Sequence, residues 1–259
     1  MKVAIIGTGN MGGAIVRGLY LRKDVEIIIS NRSLEKLEQL KTEMPNVKIA
    51  VTNADAAKDA DIICLAVKPK QMWDVADEIR DLPGMSAKKI VSIAAGIRIN
   101  DLEKMFSQLA GECPGIYRAI PNTAISAANG ITFIAYEDEQ LDKSVTDIFL
   151  TMGRVEVIDE KLMGAATALC SCGIAYAFKY VQAMTQAGVQ LGFRPEEALS
   201  YSIATVEGAM SLLEQNRTTP QQEIDKVTTP GGMTIRGVNT LEHTGFVSAV
   251  IDAVIEPLK

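Results

Sequence analysis

Three glycines near the start of the chain have the spacing of a phosphate-binding turn. Gly7, Gly9 and Gly12 fit the pattern G-x-G-x-x-G, between an apolar, strand-like run at residues 3–6 and a helix-like segment at residues 13–21. Gly7 permits a tight turn, Gly9 carries no Cβ that would block a pyrophosphate, and Gly12 lets the helix pack closely on the strand. The N–H groups at the start of the helix would face the phosphates. The pattern predicts a dinucleotide site, the alternative being a purely structural glycine turn.

The end of the second predicted strand indicates which dinucleotide would bind. Residues 25–30 are β-branched and continuous, and Asn31, Arg32 and Ser33 follow them, where a site that prefers NAD usually carries an acid for the ribose hydroxyls. The guanidinium of Arg32 has the fixed charge and the planar set of donors that suit a ribose 2′-phosphate. A solvated turn arginine is the alternative. We therefore expect NADPH as the cofactor, with NADH possible.

Three more turns follow predicted strands, after residues 61–67, 89–93 and 116–120. Ligands of parallel sheets bind beyond the carboxyl ends of the strands, so we expect these turns to line the cofactor as well, although the third could equally be a plain loop. The predicted cofactor site consists of Gly7, Thr8, Gly9, Asn10, Met11, Gly12, Asn31, Arg32, Ser33, Ala66, Val67, Lys68, Pro69, Ala94, Ala95, Gly96, Pro121 and Asn122.

A second stretch that could bind an anion lies near residue 230. Thr229 is predicted to be a helix N-cap and Pro230 the first helical residue, so that Gly231 and Gly232 expose the next N–H groups. Such a helix start can accept a small carboxylate. A well-capped helix without a ligand is the alternative.

The elements that position these residues are strands that alternate with helices up to about residue 158. This alternation predicts a parallel sheet with right-handed crossovers, completed by short strands after residue 115. Beyond residue 159 the strand signals cease. We therefore predict an α/β protein, with a Rossmann-type doubly wound sheet in an N-terminal domain (residues 1–158) and an all-helical C-terminal domain (residues 159–259).

The helical domain is expected to associate with itself. Its helix from Pro195 carries one apolar stripe, predicted to face the core, formed by Leu199, Ile203, Val206, Met210 and Leu213. Residues 162–178 carry no charge and are expected to form a buried helix, because they are short for a membrane span and rich in small residues. This is more apolar surface than a small bundle can hide.

Composition limits the remaining possibilities. The chain has 259 residues and a net charge of −6, which argues against a nucleic-acid or anionic membrane partner. Four cysteines lack a C-x-x-C pair, and the N-terminal residues enter a strand directly, so we expect reduced thiols, no metal site and a cytoplasmic location. These cysteines are Cys64, Cys113, Cys170 and Cys172.

With these motifs the chain resembles the Δ1-pyrroline-5-carboxylate reductases, which reduce a cyclic imine to L-proline with NAD(P)H. The shared segments are residues 7–12, 67–69, 118–123, 167–169, 227–234 and 241–242. The resemblance implies a Rossmann domain and a helical dimerisation domain, in a homodimer or a larger ring of dimers. It also implies that the substrate is bound by Thr229, Gly231, Gly232, Met233 and Thr234.

The resemblance further implies a mechanism. The nicotinamide hydride would reach the imine carbon while Thr234, as the catalytic residue, bonds the ring nitrogen, and we expect the nucleotide cradle and the anion pocket to face each other. Positioning would supply most of the acceleration. A protonated imine is already electrophilic, so no side chain need protonate an oxygen. The single histidine, His243, is accordingly expected to have a surface or packing role.

The residues are also compatible with other functions. A β-hydroxyacid dehydrogenase has a similar two-domain build, but it needs a helix lysine followed four residues later by asparagine, and here Ala183 follows Lys179. A reductase of another cyclic imine and a non-catalytic NADP-binding paralogue are further alternatives. The family usually shows S-G-S-G-P-A-Y where residues 170–176 read C-S-C-G-I-A-Y. The effect of this departure, the ring size of the preferred imine and the oligomer number stay open.

Overall fold

The computed structural model describes residues 1–107, 113–137 and 142–259. The chain divides into two compact units, Met1–Ser171 and Cys172–Lys259. This division lies beyond the sequence-based boundary at residue 158, because Met163 is only 1% exposed and packs into the core beside the sheet. The segment that follows the last strand is therefore part of the first unit.

The first unit is built on one sheet, which has eight strands in the described residues. They are β1 (Lys2–Ile6), β2 (Glu26–Ser30), β3 (Lys48–Ile49), β4 (Ile62–Leu65), β5 (Lys89–Ser92), β6 (Gly115–Pro121), β7 (Gly130–Tyr136) and β8 (Gly153–Val157). Their order is β3-β2-β1-β4-β5-β6-β7-β8. The parallel arrangement predicted from the sequence is confirmed from β3 to β6.

Strand β7 runs antiparallel to β6, and β8 is again parallel to β7. Between β6 and β7 the chain forms only the single 3-10 segment Thr123–Ala127. A return in the parallel direction needs a longer crossover, so this short connection reverses the strand. The last strands complete the sheet as expected.

Helices cover both faces of the sheet. The helices of the first unit are α1 (Asn10–Tyr20), α2 (Leu34–Glu43), α3 (Asn53–Ala57), α4 (Met72–Ile79), α5 (Ile99–Phe106), α6 (Lys143–Leu150) and α7 (Met163–Ala166). Helices α3, α4, α5 and α7 contribute to one apolar core, and α1, α2 and α6 contribute to the other. Strand β4 is buried throughout because its alternate side chains enter both cores. The doubly wound architecture is confirmed.

The second unit is helical, as predicted. Its helices are α8 (Gly173–Gln190), α9 (Pro195–Asn216), α10 (Pro220–Val227), α11 (Met233–His243) and α12 (Phe246–Ile255). Helices α8 and α9 pack closely, since a Cβ on Gly188 would lie 2.9 Å from the Cβ of Ala198. Tyr176 of α8 also donates a hydrogen bond to the carbonyl of Ala253 in α12, at 2.7 Å.

Two expectations about this unit are wrong for the single chain. The α9 stripe does not face a core, because Leu199, Ile203 and Met210 are 45%, 42% and 52% exposed. Residues 162–178, predicted to form one buried helix, are instead divided among α7, the turn Thr167–Ser171 and the start of α8. Met163, Ala166 and Ala168 are buried, but α8 contains no buried residue. In residues 172–259, all of them described, only Ala198 and Ser202 are buried. Periodicity located an apolar face correctly, but it does not show whether the chain's own core covers that face.

One stretch of the described residues, Glu160–Gln190, also has the length and composition of a membrane span, because it contains an 18-residue window with a mean hydropathy of 1.3. A single stretch of this kind is weak evidence for a membrane.

Candidate functional site

The turn after β1 requires glycine at Gly7. Its φ is +95°, in the region that side chains with a Cβ rarely adopt, and its N–H donates to the carbonyl of Ser30 at 2.9 Å. A Cβ at this position would lie 2.6 Å from the carbonyl oxygen of Ala66. The turn is therefore locked between β2 and β4, at the centre of the sheet's carboxyl edge.

The other two glycines of the motif have different surroundings. A Cβ on Gly12 would lie 2.0 Å from the carbonyl oxygen of Gly7, whereas a Cβ on Gly9 would meet nothing within 4 Å. Gly9 is the N-cap of α1 and provides no side-chain cap. The N–H groups of the first turn of a helix have no intrahelical acceptor, so this end is open to an anion. The cradle fits the pyrophosphate of a dinucleotide.

The turn after β2 is joined to the glycine loop. The Nδ2 atom of Asn31 donates to Oγ1 of Thr8 at 2.6 Å, and Oδ1 of Asn31 accepts from the N–H of Ser33 at 3.0 Å. The side chain of Arg32 is 71% exposed and lies 3.7 Å from the carboxylate of Asp74. Asn31 and Thr8 therefore shape the loop, while Arg32 extends from it. Sequence reasoning missed Asp74, because helix α4 brings it to this place.

The turns after β4 and β5 lie beside the glycine loop, since β1, β4 and β5 are neighbours. The N–H of Ala66 donates to the carbonyl of Ile6 at 2.8 Å, which keeps this turn against β1. Lys68 is exposed just before the 3-10 segment Pro69–Gln71. After β5, Gly96 is exposed with φ +78°. The structure thus brings together the predicted residues that follow β1, β2, β4 and β5 at one edge.

The turn after β6 has a structural role in this arrangement. Asn122 is buried, and its Oδ1 accepts from the N–H of Ala124 at 3.2 Å. Its Nδ2 donates to the carbonyl of Cys170 at 3.4 Å. The side chain predicted to bind cofactor therefore connects two segments of the first unit.

A partly buried ion pair that sequence reasoning missed joins β6 to the segment that follows β8. Arg118 of β6 is buried, and its Nη1 donates to Oε1 of Glu160 at 2.7 Å. The same oxygen accepts from the N–H of Ile99, the first residue of α5, at 2.7 Å. The position of Arg118 in the polar segment after residue 115 was a signal, but nothing local marks Glu160 as its partner.

The predicted anion site of the second unit has a different cap from the one expected. The carbonyl of Thr229 accepts from the N–H of Gly232 at 2.9 Å, and Gly231 has φ +70°. Pro230 and Gly231 thus occupy the two central positions of a type II turn. The N-cap of α11 is Gly232, with no side-chain cap, so the prediction of Thr229 as N-cap and Pro230 as first helical residue is wrong.

This correction changes which N–H groups α11 offers. The N–H of Gly232 is used inside the turn, and the next donors belong to the first helical residues, Met233, Thr234 and Ile235. Met233 is 82% exposed and Thr234 is exposed too. A Cβ on Gly232 would lie 2.5 Å from Oγ1 of Thr229, so glycine keeps this turn compact. The arrangement is an uncapped helix start, which suits a carboxylate.

Comparison with known proteins decides the family. A family model for pyrroline-5-carboxylate reductase dimerisation matches residues 160–259, and one for coenzyme F420-dependent NADP oxidoreductase matches residues 2–96. Pyrroline-5-carboxylate reductase of Aquifex aeolicus is 34% identical over 98% of this chain and 94% of its own length. The chain belongs to the pyrroline-5-carboxylate reductase family. This confirms the resemblance found in the sequence.

Other members of the family agree. Pyrroline-5-carboxylate reductase 1 of Dictyostelium discoideum is 36% identical over 98% of this chain, which spans about half (48%) of that relative. The crystal structure of Plasmodium falciparum pyrroline carboxylate reductase with NADP bound has a TM-score of 0.88 at 28% identity, and the match covers 99% of this chain and 95% of that one. A Mycobacterium tuberculosis 3-hydroxyisobutyrate dehydrogenase, at 12% identity and TM-score 0.54 over 90% of this chain and 71% of that one, shares the fold alone.

The segment that departs from the usual pyrroline-5-carboxylate reductase pattern joins the two units. Thr167–Ser171 forms a π-helical turn, and Cys172 precedes α8. Partial burial raises the pKa of the Cys170 thiol, and full burial raises that of Cys64 to about 12. Neither environment favours a thiolate. Among the described residues, no group of three or more His, Cys, Asp or Glu side chains could hold a metal ion.

Proposed function

We propose that this protein reduces Δ1-pyrroline-5-carboxylate to L-proline, with NADPH as the preferred cofactor and NADH as a second one. The observation that carries the proposal is a pair of helix starts with the same construction. Gly9 is the N-cap of α1 and Gly232 is the N-cap of α11, and neither has a side-chain cap. Each leaves N–H groups for an anion, one for a pyrophosphate and one for a substrate carboxylate.

The glycine loop and Arg32 would hold the cofactor, which when bound supplies a hydride for the imine carbon. Residues 231–234 would hold the substrate by its carboxylate, chiefly through the N–H groups of Met233 and Thr234, because that of Gly232 is used in the turn. The hydroxyl of Thr234 would bond the ring nitrogen and fix the orientation of the imine. The proposal requires these two sites to meet in the assembled enzyme.

No side chain is assigned as a proton donor. A protonated imine carries its own positive charge, so the protein needs to orient it and not to protonate it. The exposed His243 lies at the far end of α11 from Thr234, which supports a role outside the chemistry.

We also propose that the enzyme is a cytoplasmic homodimer or a ring of dimers. The match of the dimerisation family to residues 160–259 supports a second copy, instead of a bilayer, as the cover for α8 and α9. The free thiols of Cys64, Cys170 and Cys172 support a reducing compartment, and the net charge of −6 argues against nucleic acid.

The test is a cofactor-oxidation assay with purified protein. NADPH and NADH are each combined with five- and six-membered cyclic imines that carry a carboxylate. Hydroxy acids are tested separately with the oxidised forms of both cofactors. We expect the fastest loss of NADPH absorbance with pyrroline-5-carboxylate. Absence of any substrate-dependent loss would contradict the proposal and favour a non-catalytic paralogue, and a faster six-membered imine would change the assigned substrate.

Thr234→Ala tests the site within the same assay. We expect kcat to fall by about 10²–10³, the effect typical of losing one aligned hydrogen-bonding group, with recovery in Thr234→Ser. Thr240→Ala is the matched control, because Thr240 is exposed on the same helix and its hydroxyl bonds only the carbonyl of Arg236 in the contacts described. Equal turnover of Thr234→Ala and Thr240→Ala would show that Thr234 has no part in the reaction.

A further inference from the structure

Two opposite charges face each other where the ribose of the cofactor would lie. Arg32 follows β2, and Asp74 lies in the first turn of α4, which follows β4. Strand β1 pairs with both β2 and β4, so the two side chains meet across the carboxyl edge at the glycine loop. The nearest atoms, Nη2 of Arg32 and Oδ2 of Asp74, are 3.7 Å apart. The sequence shows no acid at the end of β2, and the acid nearest to Arg32 comes instead from α4.

The fold holds Asp74 in this position through a second set of contacts. Glu78 lies one helical turn after Asp74, on the same face of α4. Its carboxylate accepts from Nδ2 of Asn53 at 2.6 Å, and Oδ1 of Asn53 accepts from the hydroxyl of Ser30, the last residue of β2, at 2.8 Å. The face of α4 that carries Asp74 is therefore tied to the end of β2.

The contact between Arg32 and Asp74 is electrostatic and does not orient the arginine. Its length exceeds that of a hydrogen bond, and the two side chains are 71% and 67% exposed. Arg32 is thus free to turn towards a ligand. A phosphate that reaches Arg32 must displace Asp74 and then lies near its negative charge.

We propose that Asp74 is a specificity-determining residue that competes with the 2′-phosphate of the cofactor for Arg32. This inference rests on the proposed cofactor site. Asp74 weakens binding of the phosphorylated ribose and leaves the unphosphorylated ribose unaffected, so it narrows the preference for NADPH over NADH. The expected change in affinity for the phosphorylated ribose is about two- to fivefold, which is typical of exposed ion pairs.

The experiment measures binding of adenosine fragments to the full chain, without nicotinamide or imine. Adenosine 2′,5′-bisphosphate and 5′-AMP are titrated by calorimetry and by the fluorescence of Trp73, the single tryptophan, which is half-exposed and adjoins Asp74. Asp74→Asn is compared with Asp77→Asn, a matched control on the same helix whose carboxylate pairs with Arg80 at 2.9 Å.

We expect Asp74→Asn to bind the bisphosphate about two to five times more tightly, with unchanged affinity for 5′-AMP and a smaller gain at high salt. Asp77→Asn should leave both affinities as in the wild type. The gain should disappear when Asp74→Asn is combined with Arg32→Gln, because the competition needs the arginine.

Three results would overturn the inference. They are weaker bisphosphate binding in Asp74→Asn, an equal change for 5′-AMP, and an equal change in Asp77→Asn. If the fragment affinities change as expected but the protein does not reduce the imine, the proposed reaction is refuted and this role of Asp74 stands. If the protein reduces the imine but the fragment affinities do not change as expected, only the role of Asp74 is refuted.

Discussion

Adding one methyl group at each of three glycines at the start of α1 (Gly9, Gly12 and Gly13) distinguishes the packing of the loop from the approach of the cofactor. Gly12→Ala places a Cβ 2.0 Å from the carbonyl oxygen of Gly7 and 3.0 Å from the Cβ of Ala66. Backbone atoms must move, so we expect a loss of about 3 kcal/mol in the free energy of unfolding, at the upper end of overpacking costs. Cofactor affinity should fall as well, because the turn that exposes the N–H groups is displaced.

Gly13→Ala is the control for a methyl group in the same helix. Its Cβ would lie 3.3 Å from Nη1 of Arg17, the end of a flexible side chain that can move. Replacing glycine by alanine inside a helix stabilises by about 0.5–1 kcal/mol. We therefore expect a small gain in stability and an unchanged cofactor affinity.

Gly9→Ala should affect binding more than folding. Its Cβ meets no protein atom within 4 Å, and the φ of −70° suits alanine. Loss of a favourable N-cap residue costs about 0.5–1 kcal/mol of stability. In the complex with cofactor, the methyl group would occupy the path of the pyrophosphate. A steric cost of about 2 kcal/mol raises the dissociation constant of the cofactor about thirtyfold.

Urea unfolding of the three variants gives the free energy of unfolding, and cofactor titration gives the dissociation constant. From most to least stable, the expected order is Gly13→Ala, Gly9→Ala and Gly12→Ala. Both Gly9→Ala and Gly12→Ala should bind the cofactor weakly. If Gly9→Ala binds NADPH as tightly as the wild type, the pyrophosphate does not pass over Gly9. If Gly12→Ala is as stable as Gly13→Ala, the packing of the loop described above is incorrect.

Three other predictions concern stability and assembly. Arg118→Met removes one buried hydrogen-bond donor from the carboxylate of Glu160, and urea unfolding should show a loss of about 2–3 kcal/mol in the free energy of unfolding. Lys48→Met, which removes a surface cation, is the control and should cost under about 0.5 kcal/mol. Hydrogen bonds from the Lys226 ammonium, the Thr218 hydroxyl and the Asn216 amide together lower the pKa of Glu223 from the ordinary 4.5 to about 2. The stabilising contribution of the ionised Glu223 is therefore complete above pH 4.5 and is lost as the pH falls towards 2. Carboxyl resonances should show this midpoint, and Lys226→Met should raise it; an unchanged midpoint would contradict the assignment. Ile203→Asp puts a charge on the apolar face of α9, and sedimentation should show dissociation to monomers; an unchanged oligomer would place that face outside the interface.

Much of the first unit could be predicted from the sequence, because its local signals agree with the fold. Strand β4 reads as a continuous apolar run and is buried on both sides, and the glycine motif lies where strand and helix meet. The reversal of β7 had no such signal, since it depends on how the short connection Thr123–Ala127 packs. The exposed stripe of α9 could not be interpreted correctly because one chain does not contain what covers it.

The sites show the same division. Residues within one turn, such as the glycines of the first loop, could be located from their spacing alone. At Thr229 two local preferences compete, and the tendency of Pro230 and Gly231 to form a type II turn prevailed over that of proline for the first helical position. The pairing of Arg32 with Asp74 depends on the order of the strands, which spacing along the chain does not reveal.

The scarcity of buried side chains in Cys172–Lys259 has a thermodynamic consequence. A helical unit that hides so little apolar surface by itself acquires much of its stability when a second copy binds. We therefore expect its melting temperature to follow mass action and to rise with protein concentration. In the cell, newly made chains should depend on chaperones until they find a partner, and a modest fall in expression would increase the fraction that is degraded.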